Sequence, residues 1–537
     1  MTTGTGDASP PGEAVGPLLR GLAVIEKLAA ADGRRPVSEL TKAVGLARST
    51  VDRVLSTLEH LGYARLEGRD AVLTPRLMEL GNAYLGACGM PALFGPVIDA
   101  LADDLDESVS LAVPDRESIR LVRQRTRRRA MSLTFRIGDP LPADGAAPGV
   151  LFASGWSPED WAHWRRSRAD SGTDAEAAFR ERVAAAARAG WAADDQLVEP
   201  GLIAVAVPVR APEGHAVCAL SVVSHTSRHS ARSLRESVLP RLLGTAAEME
   251  KALASPPAAP TAAARPVPAP RRAKQELGPE YVESLARGLG VLTAFGPGRA
   301  ALGLSSVAEA TGLARATARR ALITLEHLGH VAVGERKYRI TPRVLNLGFG
   351  PLSQLTLTQI AEPHLVNLVK RAQDSASMAV LAGTDIRYVA RVPTVRIMAV
   401  NITLGTRFPA YATAMGRVLL AGLPPEERSA LLAGATLEPL TRHTATAPAR
   451  LMEILEETAR TGHALVNEEL EEGLRSLAVP VRDHTGRVVA AVNVSMHASR
   501  RTVDQARNDL LPALRETASA IEADLHPAGR YLQISDA

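Results

Sequence analysis

The sequence predicts a multidomain α/β protein in which a small winged helix-turn-helix and a larger domain each occur twice. Three observations carry this. Short blocks of sequence recur at one fixed spacing. Each set of blocks follows a helix, glycine turn, helix, hairpin pattern. A proline- and alanine-rich stretch separates the two sets. Gly45-Leu46-Ala47-Arg48 returns as Gly312-Leu313-Ala314-Arg315, Thr57 to Gly62 returns unchanged as Thr324 to Gly329, and Thr74-Pro75-Arg76 returns as Thr341-Pro342-Arg343. All are displaced by 267 residues (Gly45 to Gly312, Thr57 to Thr324, Thr74 to Thr341). A constant offset means a module duplicated with nothing inserted among these blocks.

A chain of 537 residues exceeds one core, since domains run to about 100–200 residues. Two copies of about 250 residues, each with a small and a larger domain, fit that range. Hydrophobic residues make up 46% and charged residues 22%, the balance of a globular chain. Aromatics at 3% argue against recognition of single-stranded nucleic acid by base stacking. The net charge of +4 decides little, so the placement of basic residues must carry the argument. Cys88 and Cys218 form neither a zinc-ligand spacing nor a disulfide framework. The first residues lack a leader pattern and no apolar run reaches about 18 residues, so a cytoplasmic protein without membrane partners is expected.

The elements follow in order. Leu18 to Ala30 is amphipathic at helical spacing. Leu40 and Val44 form a short apolar stripe that Gly45 breaks. A second stripe runs through Val51, Val54, Leu55, Leu58 and Leu61 and stops at Gly62. A short helix, a glycine turn and a longer helix make a helix-turn-helix. Tyr63 to Leu66 and Ala71 to Leu73 then flank the charged tip Glu67 to Asp70, a hairpin wing. In the second copy the stripe is Ala318, Ala321, Leu322, Leu325 and Leu328, closed by Gly329. Its wing is Val331 to Ile340, with Gly334 to Lys337 at the tip. The winged modules are thus assigned to 15–80 and 280–347. Ser255 to Lys274 holds six prolines and no apolar period, so 253–279 is read as an extended linker. Its Arg271, Arg272 and Lys274 are read as solvated charge.

The outward face of the longer helix shows Arg48, Ser49, Thr50, Asp52 and Arg53 in one copy. In the other it shows Arg315, Ala316, Thr317, Arg319 and Arg320. Arginine suits guanine edges and phosphate, and short hydroxyls allow close approach to the backbone. The wings add Arg65 and Arg69, then Arg336, Lys337 and Arg339. One arginine on a helix is usually solvated, but this arrangement occurs twice in register, and it points to a double-stranded DNA operator. Asp52 stands where the other copy has Arg319, and Ser49 where it has Ala316. A carboxylate and a guanidinium favour different contacts, so the two heads are expected to prefer different half-sites.

These residues resemble the winged helix-turn-helix of the isocitrate-lyase-regulator (IclR) family of bacterial transcription factors. The likeness rests on the Gly-Leu turn, on Thr50…Arg53 and Thr317…Arg320, on the Thr-Leu-Glu block and closing Thr-Pro, and on Arg20-Gly21-Leu22 with Arg287-Gly288-Leu289. It extends over nearly the whole chain apart from the ends and linker. The resemblance implies GAF-like α+β effector-binding domains, here 90–252 and 356–527. Pro409 to Ala421 and Asn467 to Pro480 match two segments of that domain closely. Arg391-Val392-Pro393-Thr394 with Arg396-Ile397-Met398 resembles the branch that regulates aromatic acid degradation through the β-ketoadipate pathway, of protocatechuate type. The first copy departs from the pattern: Pro142 to Gly149 lacks the threonine, and Asp194 to Ala204 lacks the Arg-Ser pair. The offset there grows to 272 residues (Gly201 to Gly473). A degenerate scaffold, or a domain for a different ligand, is expected in that half.

The residue types of the second copy allow a pocket for a small organic acid. Ala490 to Ser495 alternates apolar with small polar residues, as a half-buried strand does. Thr413 and Ala414 stand near the start of a helix predicted from Ala412 to Leu420, where free N–H groups and the positive dipole end suit a carboxylate. Leu474 and Ser476 follow, and Asn493 and Ser495 add donors. The resemblance places effector contacts near the same positions and brings in Tyr411 and Met415. Arg391 and Arg396 are alternative partners for an acid, though exposed strands or an interface suit them better. The resemblance further implies pairing through the DNA-binding heads, so one tandem chain forms a built-in pseudo-dimer and two chains a homo-oligomer equivalent to a tetramer. No nucleophile elbow, zinc-protease motif or phosphate loop is present, and neither a cofactor nor a metal is called for. The alternative to a regulator is a non-enzymatic interaction or scaffold protein without sequence-specific DNA binding.

Overall fold

A computed structural model of the chain describes residues 11–127, 135–168, 173–255, 277–394, 402–532 and 534. Arg271, Arg272 and Lys274 of the linker and Arg396 to Met398 lie outside the described residues. The chain divides into two compact units, residues 1–354 and 355–537. The division falls after the second head, and not at the linker, because the second head packs into the first unit.

The first head consists of α1 (Gly16–Ala29), α2 (Val37–Val44) and α3 (Arg48–His60). Gly45 ends α2 at φ 65°, a left-handed conformation that a side chain resists. α3 buries Val51, Val54, Leu55 and Leu58, the expected stripe. The wing is a three-stranded sheet of β1 (Arg34–Pro36), β2 (Ala64–Glu67) and β3 (Asp70–Leu73), in the order β1-β3-β2. Its tip is narrower than expected, with only Gly68 and Arg69 between the strands. β1 was not foreseen: three residues ending in proline carry no alternation to read.

α4 (Met78–Cys88) and α5 (Met90–Leu105) lead into the first larger domain. Its strands are β4 (Ser108–Asp115), β5 (Ser118–Arg125), β6 (Pro140–Pro142), β7 (Ala192–Asp195), β8 (Leu202–Arg210) and β9 (Ala216–His225). Its helices are α6 (Ala147–Ala153), α7 (Pro158–Ser167), α8 (Thr173–Ala189) and α9 (Ala231–Ala254). The strands form one antiparallel sheet in the order β6-β5-β4-β9-β8-β7. α5 and α9 pack on it as a pair, and α6 packs on it separately.

The second head repeats the first with α10 (Glu283–Thr293), α11 (Leu304–Thr311) and α12 (Arg315–His327). Its wing pairs β10 (Val331–Gly334) with β11 (Lys337–Ile340). The two tip residues, Glu335 and Arg336, both take positive φ, as a tight two-residue hairpin requires. The short helix α13 (Phe349–Leu352) closes the first unit.

The second unit runs α14 (Leu357–Ala372), β12 (Ser375–Ala382), β13 (Asp385–Val392), β14 (Arg407–Pro409), α15 (Ala414–Ala421), α16 (Pro425–Ala433), α17 (Pro448–Thr461), β15 (Ala464–Asn467), β16 (Leu474–Arg482), β17 (Val488–His497) and α18 (Val503–Gly529). Its antiparallel sheet has the same order as the first, β14-β13-β12-β17-β16-β15. α15 starts two residues later than predicted, with Thr413 as its N-cap. β17 also departs from expectation, because Ala490 to Val494 are all buried. It is a central strand covered on both sides, more buried than the half-buried strand expected, and Asn493 and Ser495 on it line a cavity.

The two heads pair inside one chain. α1 and α10 cross where Gly21 meets Leu285 and Gly288 meets Leu18, and a side chain on either glycine would collide with the opposing leucine. The contacts at the edges mirror each other. Val282 N donates to Thr57 Oγ1 at 2.8 Å, and Val15 N donates to Thr324 Oγ1 at 2.9 Å. Both threonines are fully buried, which explains why the repeated Thr-Leu-Glu block keeps a hydroxyl inside a helix. Among the described residues no single helix is long and apolar enough to cross a membrane.

Replacing Gly288 with Val overpacks the crossing and should cost about 1–3 kcal/mol. The expected readout is a lower thermal midpoint of the full chain. An unchanged melting curve would show that the head pairing does not depend on this approach.

Candidate functional site

Two sites emerge, a pair of basic heads and a cavity in the second unit. On α3, Arg48, Ser49, Asp52 and Arg53 are exposed and Thr50 is half-buried. On α12, Arg315, Ala316, Arg319 and Arg320 are exposed and Thr317 is half-buried. Both sets lie in the first two turns of their helices, as the sequence predicts.

The electrostatics of the two heads differ in a way that helix patterns do not reveal. In the first head, Arg48 Nε lies 2.8 Å from Asp52 Oδ1, one turn along α3. In the wing, Glu67 takes Arg65 and Arg34, each at 2.6 Å, and Asp70 takes Arg34 at 2.8 Å. The hydrogen bond from Arg65 is the main cause that holds the Glu67 carboxyl below its ordinary value. In the second head, Gly334 and Lys337 stand at the positions of Glu67 and Asp70. Arg336, Lys337 and Arg339 are exposed, and none is ion-paired among the described residues. Arg319 pairs with Glu13, which precedes α1, and Arg320 Nε lies 3.5 Å from the Glu13 carbonyl. Arg34 and Glu13 were missed by sequence reasoning, because their partners are distant in the chain.

The cavity has a volume of about 190 Å³ and brings together Thr413, Ala414, Met415, Leu474, Ser476, Asn493 and Ser495. Thr413 caps α15 by accepting from Gly416 N at 3.1 Å. The N–H groups of Ala414 and Met415 belong to the first turn, which lacks intrahelical partners and carries the positive end of the helix dipole. Facing it, Asn493 Nδ2 donates to Ser476 Oγ and Ser495 Oγ, both at 2.9 Å. Asn493 Oδ1 is buried without a partner among the described residues. A buried acceptor left unpaired costs about 1–3 kcal/mol, which a ligand O–H would relieve. Tyr388 and Phe408 form an edge-on wall, with ring centroids 6.0 Å apart. Burial pushes the Tyr388 phenol up to about 12, so it is protonated at neutral pH.

Tyr411 is a correction to the predicted set. It does not line the cavity; its hydroxyl donates to the Glu438 carbonyl at 2.8 Å. Arg391, on β13, also lies outside the lining. Sequence reasoning missed Tyr388, Ile402, Phe408, Val466, Leu470 and Glu471, which line the cavity from other elements. Tyr388 on β13 and Phe408 on β14 carried no signal beyond that of core strand residues. The Gly-Arg and Glu-Glu segments meet behind the cavity. Arg417, 2% exposed, donates to both Glu469 oxygens at 2.8 and 2.5 Å and to the Tyr411 carbonyl at 2.9 Å. That bidentate pair fixes the loop before β16 against α15. Arg475 is structural too, donating to Asn467 Oδ1 at 2.7 Å.

Comparison with known proteins gives two matching families. "Bacterial transcriptional regulator IclR C-terminal" matches residues 82–251 and 349–523. "IclR helix-turn-helix domain" matches residues 17–68 and 284–333. The chain is similar to the Pca regulon regulatory protein of Pseudomonas putida, at 39% identity over 237 residues, covering 44% of this chain and 81% of that protein. It is similar to the p-hydroxybenzoate hydroxylase transcriptional activator of Acinetobacter baylyi, at 34% identity over 247 residues, covering 45% of this chain and 91% of that protein. A solved structure of a transcriptional regulator from Rhodococcus sp. RHA1 is 49% identical, with a TM-score of 0.44, covering 47% of this chain and 100% of that one. Each of these relatives has the length of one copy.

Proposed function

The chain belongs to the IclR family of bacterial transcriptional regulators, with both family domains present twice, and from that premise we propose how its two sites work together. It is a DNA-binding regulator and not an enzyme. The two heads of one chain occupy neighbouring half-sites of a double-stranded operator, with α3 and α12 as the reading helices. Arg48, Arg53, Arg315, Arg319 and Arg320 reach bases or phosphates, and the wings track the backbone through Arg69, Arg336, Lys337 and Arg339, while Arg65 stays paired with Glu67. The observation that carries this reading is the pairing of two helix-turn-helix modules through Gly21 and Gly288, which leaves both reading helices exposed. Two such chains assemble into a dimer.

The effector is a small organic acid with an aromatic ring and a ring hydroxyl. Its carboxylate takes the first N–H groups of α15, and its hydroxyl meets the Ser476, Asn493 and Ser495 cluster. Its ring lies against Tyr388, Phe408 and Leu474. A cavity of about 190 Å³ is smaller than the ~300 Å³ at which drug-sized pockets begin, which suits a single-ring acid. The name of one relative, an activator of p-hydroxybenzoate hydroxylase transcription, supports the aromatic class. Effector and operator then change each other's affinity by the same factor.

Binding of the full chain to its own upstream DNA, titrated with protocatechuate and 4-hydroxybenzoate, tests the reading. Specific binding that shifts with one acid is expected. Specific binding indifferent to both would remove the aromatic effector, and loss of all sequence preference would remove the regulator. Ser476→Ala and Asn493→Ala should each weaken acid binding by about 1–3 kcal/mol while leaving acid-free DNA binding intact. An acid affinity equal to wild type in both would show that the cluster does not touch the ligand.

The two heads should contribute unequally to salt dependence. Each phosphate contact contributes about 0.9 to the slope of log K against log salt. Alanine at both Arg336 and Lys337 should flatten the slope by up to about 2. Arg65→Ala should change it little, since Glu67 already neutralises that guanidinium. Equal slopes per residue removed would contradict this division. Binding-site selection on the full chain should yield an asymmetric site, and Asp52→Arg should make its halves more alike. A symmetric site for the wild type would end the argument from Asp52 and Arg319.

A further inference from the structure

The first larger domain repeats the second strand for strand, and its cavity lies in the same place, between the N-terminus of α6 and strands β8 and β9. That cavity measures about 30 Å³, against about 190 Å³ in the second. The internal repeat aligns the two linings position by position, 267 residues apart up to α7 and 272 apart from β7 on (Ala147 to Ala414, Ala192 to Ala464).

The replacements remove what a carboxylate would use. Thr413, Ser476 and Ser495 become Ala146, Ala204 and Val223, so three hydroxyls are lost. Met415 becomes Pro148, which has no N–H to offer in the first turn of α6. Asn493 becomes Ser221, whose hydroxyl is directed to the Ser110 carbonyl at 3.4 Å. Ile402 becomes Phe135, which takes up space in the lining.

One replacement adds a repelling group. Asp194 lines the first cavity where Val466 lines the second, and it is 1% exposed. It accepts from Leu197 N at 2.8 Å. Burial pushes its carboxyl up to about 6, so at neutral pH it presents mainly negative charge. A second carboxylate beside it would meet like charge in a poorly solvated site.

The surroundings are also filled. Trp161, Trp164 and Phe179 are buried together with ring centroids 5.3–6.0 Å apart, and Phe179 lies on α8, which packs against α6. The second copy has Arg428, Leu431 and Leu451 at those positions. What the first domain retains is a hold on the second head. Arg120, 2% exposed, pairs with Asp115 at 2.6 Å and donates to the Gly138 carbonyl. Gly138 lies against Leu345 and Phe349, and Asp139 lies against Gly350. Ala382 replaces Asp115 in the second copy, so this pair is peculiar to the first.

We propose that the first effector domain is blind to the organic acid and braces the second head, so that each chain carries a single effector site. The proposal rests on the reading of the second cavity given above. Calorimetric titration of the full chain with 4-hydroxybenzoate and with protocatechuate tests it. Saturation at one acid per chain is expected, and saturation at two would overturn it. The Ser476→Ala/Asn493→Ala double variant should keep at most one site, with its affinity weakened; a site of unchanged affinity in that variant that is lost on Ala147→Trp, in the lining of the first cavity, would place a working site in the first domain and overturn it as well. If the wild type binds neither acid, the reading of the second cavity fails and this proposal falls with it. That outcome is distinct from two sites, which would sustain the effector reading and reject only the single site.

Discussion

Two helices bring their backbones closest where the facing residues have no side chain, and the first helices of the two heads meet this condition at Gly21 and Gly288. Each glycine receives a leucine from the opposite copy, so the contact is reciprocal. The arrangement is that of a two-fold dimer interface, in which one patch serves both partners, but here both partners lie on one chain. Joining them covalently replaces a bimolecular association with an intramolecular one, at an effective concentration set by the connection. The heads therefore need no second chain in order to pair, and the second head belongs to the first compact unit.

Once both halves of a dimer are encoded in one chain, they are free to diverge. A homodimer presents two identical reading helices and two identical wings. This chain presents Asp52 against Arg319, and a wing in which Glu67 and Asp70 pair Arg34 and Arg65 and leave Arg69 exposed, against one carrying Arg336, Lys337 and Arg339. The effector domains diverge further. In one, Asn493 keeps an unsatisfied oxygen in an open cavity; in the other, apolar side chains and Asp194 occupy the equivalent space. A buried polar atom without a partner is unfavourable for folding alone; each half holds one at its cavity, Asn493 Oδ1 in the second and Ser110 Oγ in the first, so it is the space beside that atom that differs.

The sheets carry the same logic. Both have one strand order, and in both the cavity lies between a helix N-terminus and the two long strands beside it. The backbone supplies the same dipole and nearly the same frame twice. At least seven replaced lining residues separate a cavity of about 190 Å³ from one of about 30 Å³ on that frame, in keeping with function residing in sites and not in folds.

Much of this was legible in the sequence, and for local reasons. Helical spacing at Val51, Val54, Leu55 and Leu58, the glycines after α2 and at the wing tips, and the constant 267-residue offset (Gly45 to Gly312) report conformations that neighbouring residues impose on one another. They determined the duplicated heads and the reading helices; the polar members of the second cavity came from the alternation of Ala490 to Ser495, from the predicted helix start near Thr413 and from the family resemblance. The sequence did not determine which surfaces meet. That Glu13 lies on Arg319, that Tyr411 turns from the cavity toward Glu438, and that Tyr388 and Phe408 form its wall depend on contacts between distant segments. β1, at three residues, shows the same limit at small scale, since only its pairing with β3 makes it a strand. The volume of a cavity is decided last of all, by close packing of every side chain around it: the sequence marked the first effector domain as divergent, and only the tertiary structure gave it a cavity of about 30 Å³ against about 190 Å³ in the second.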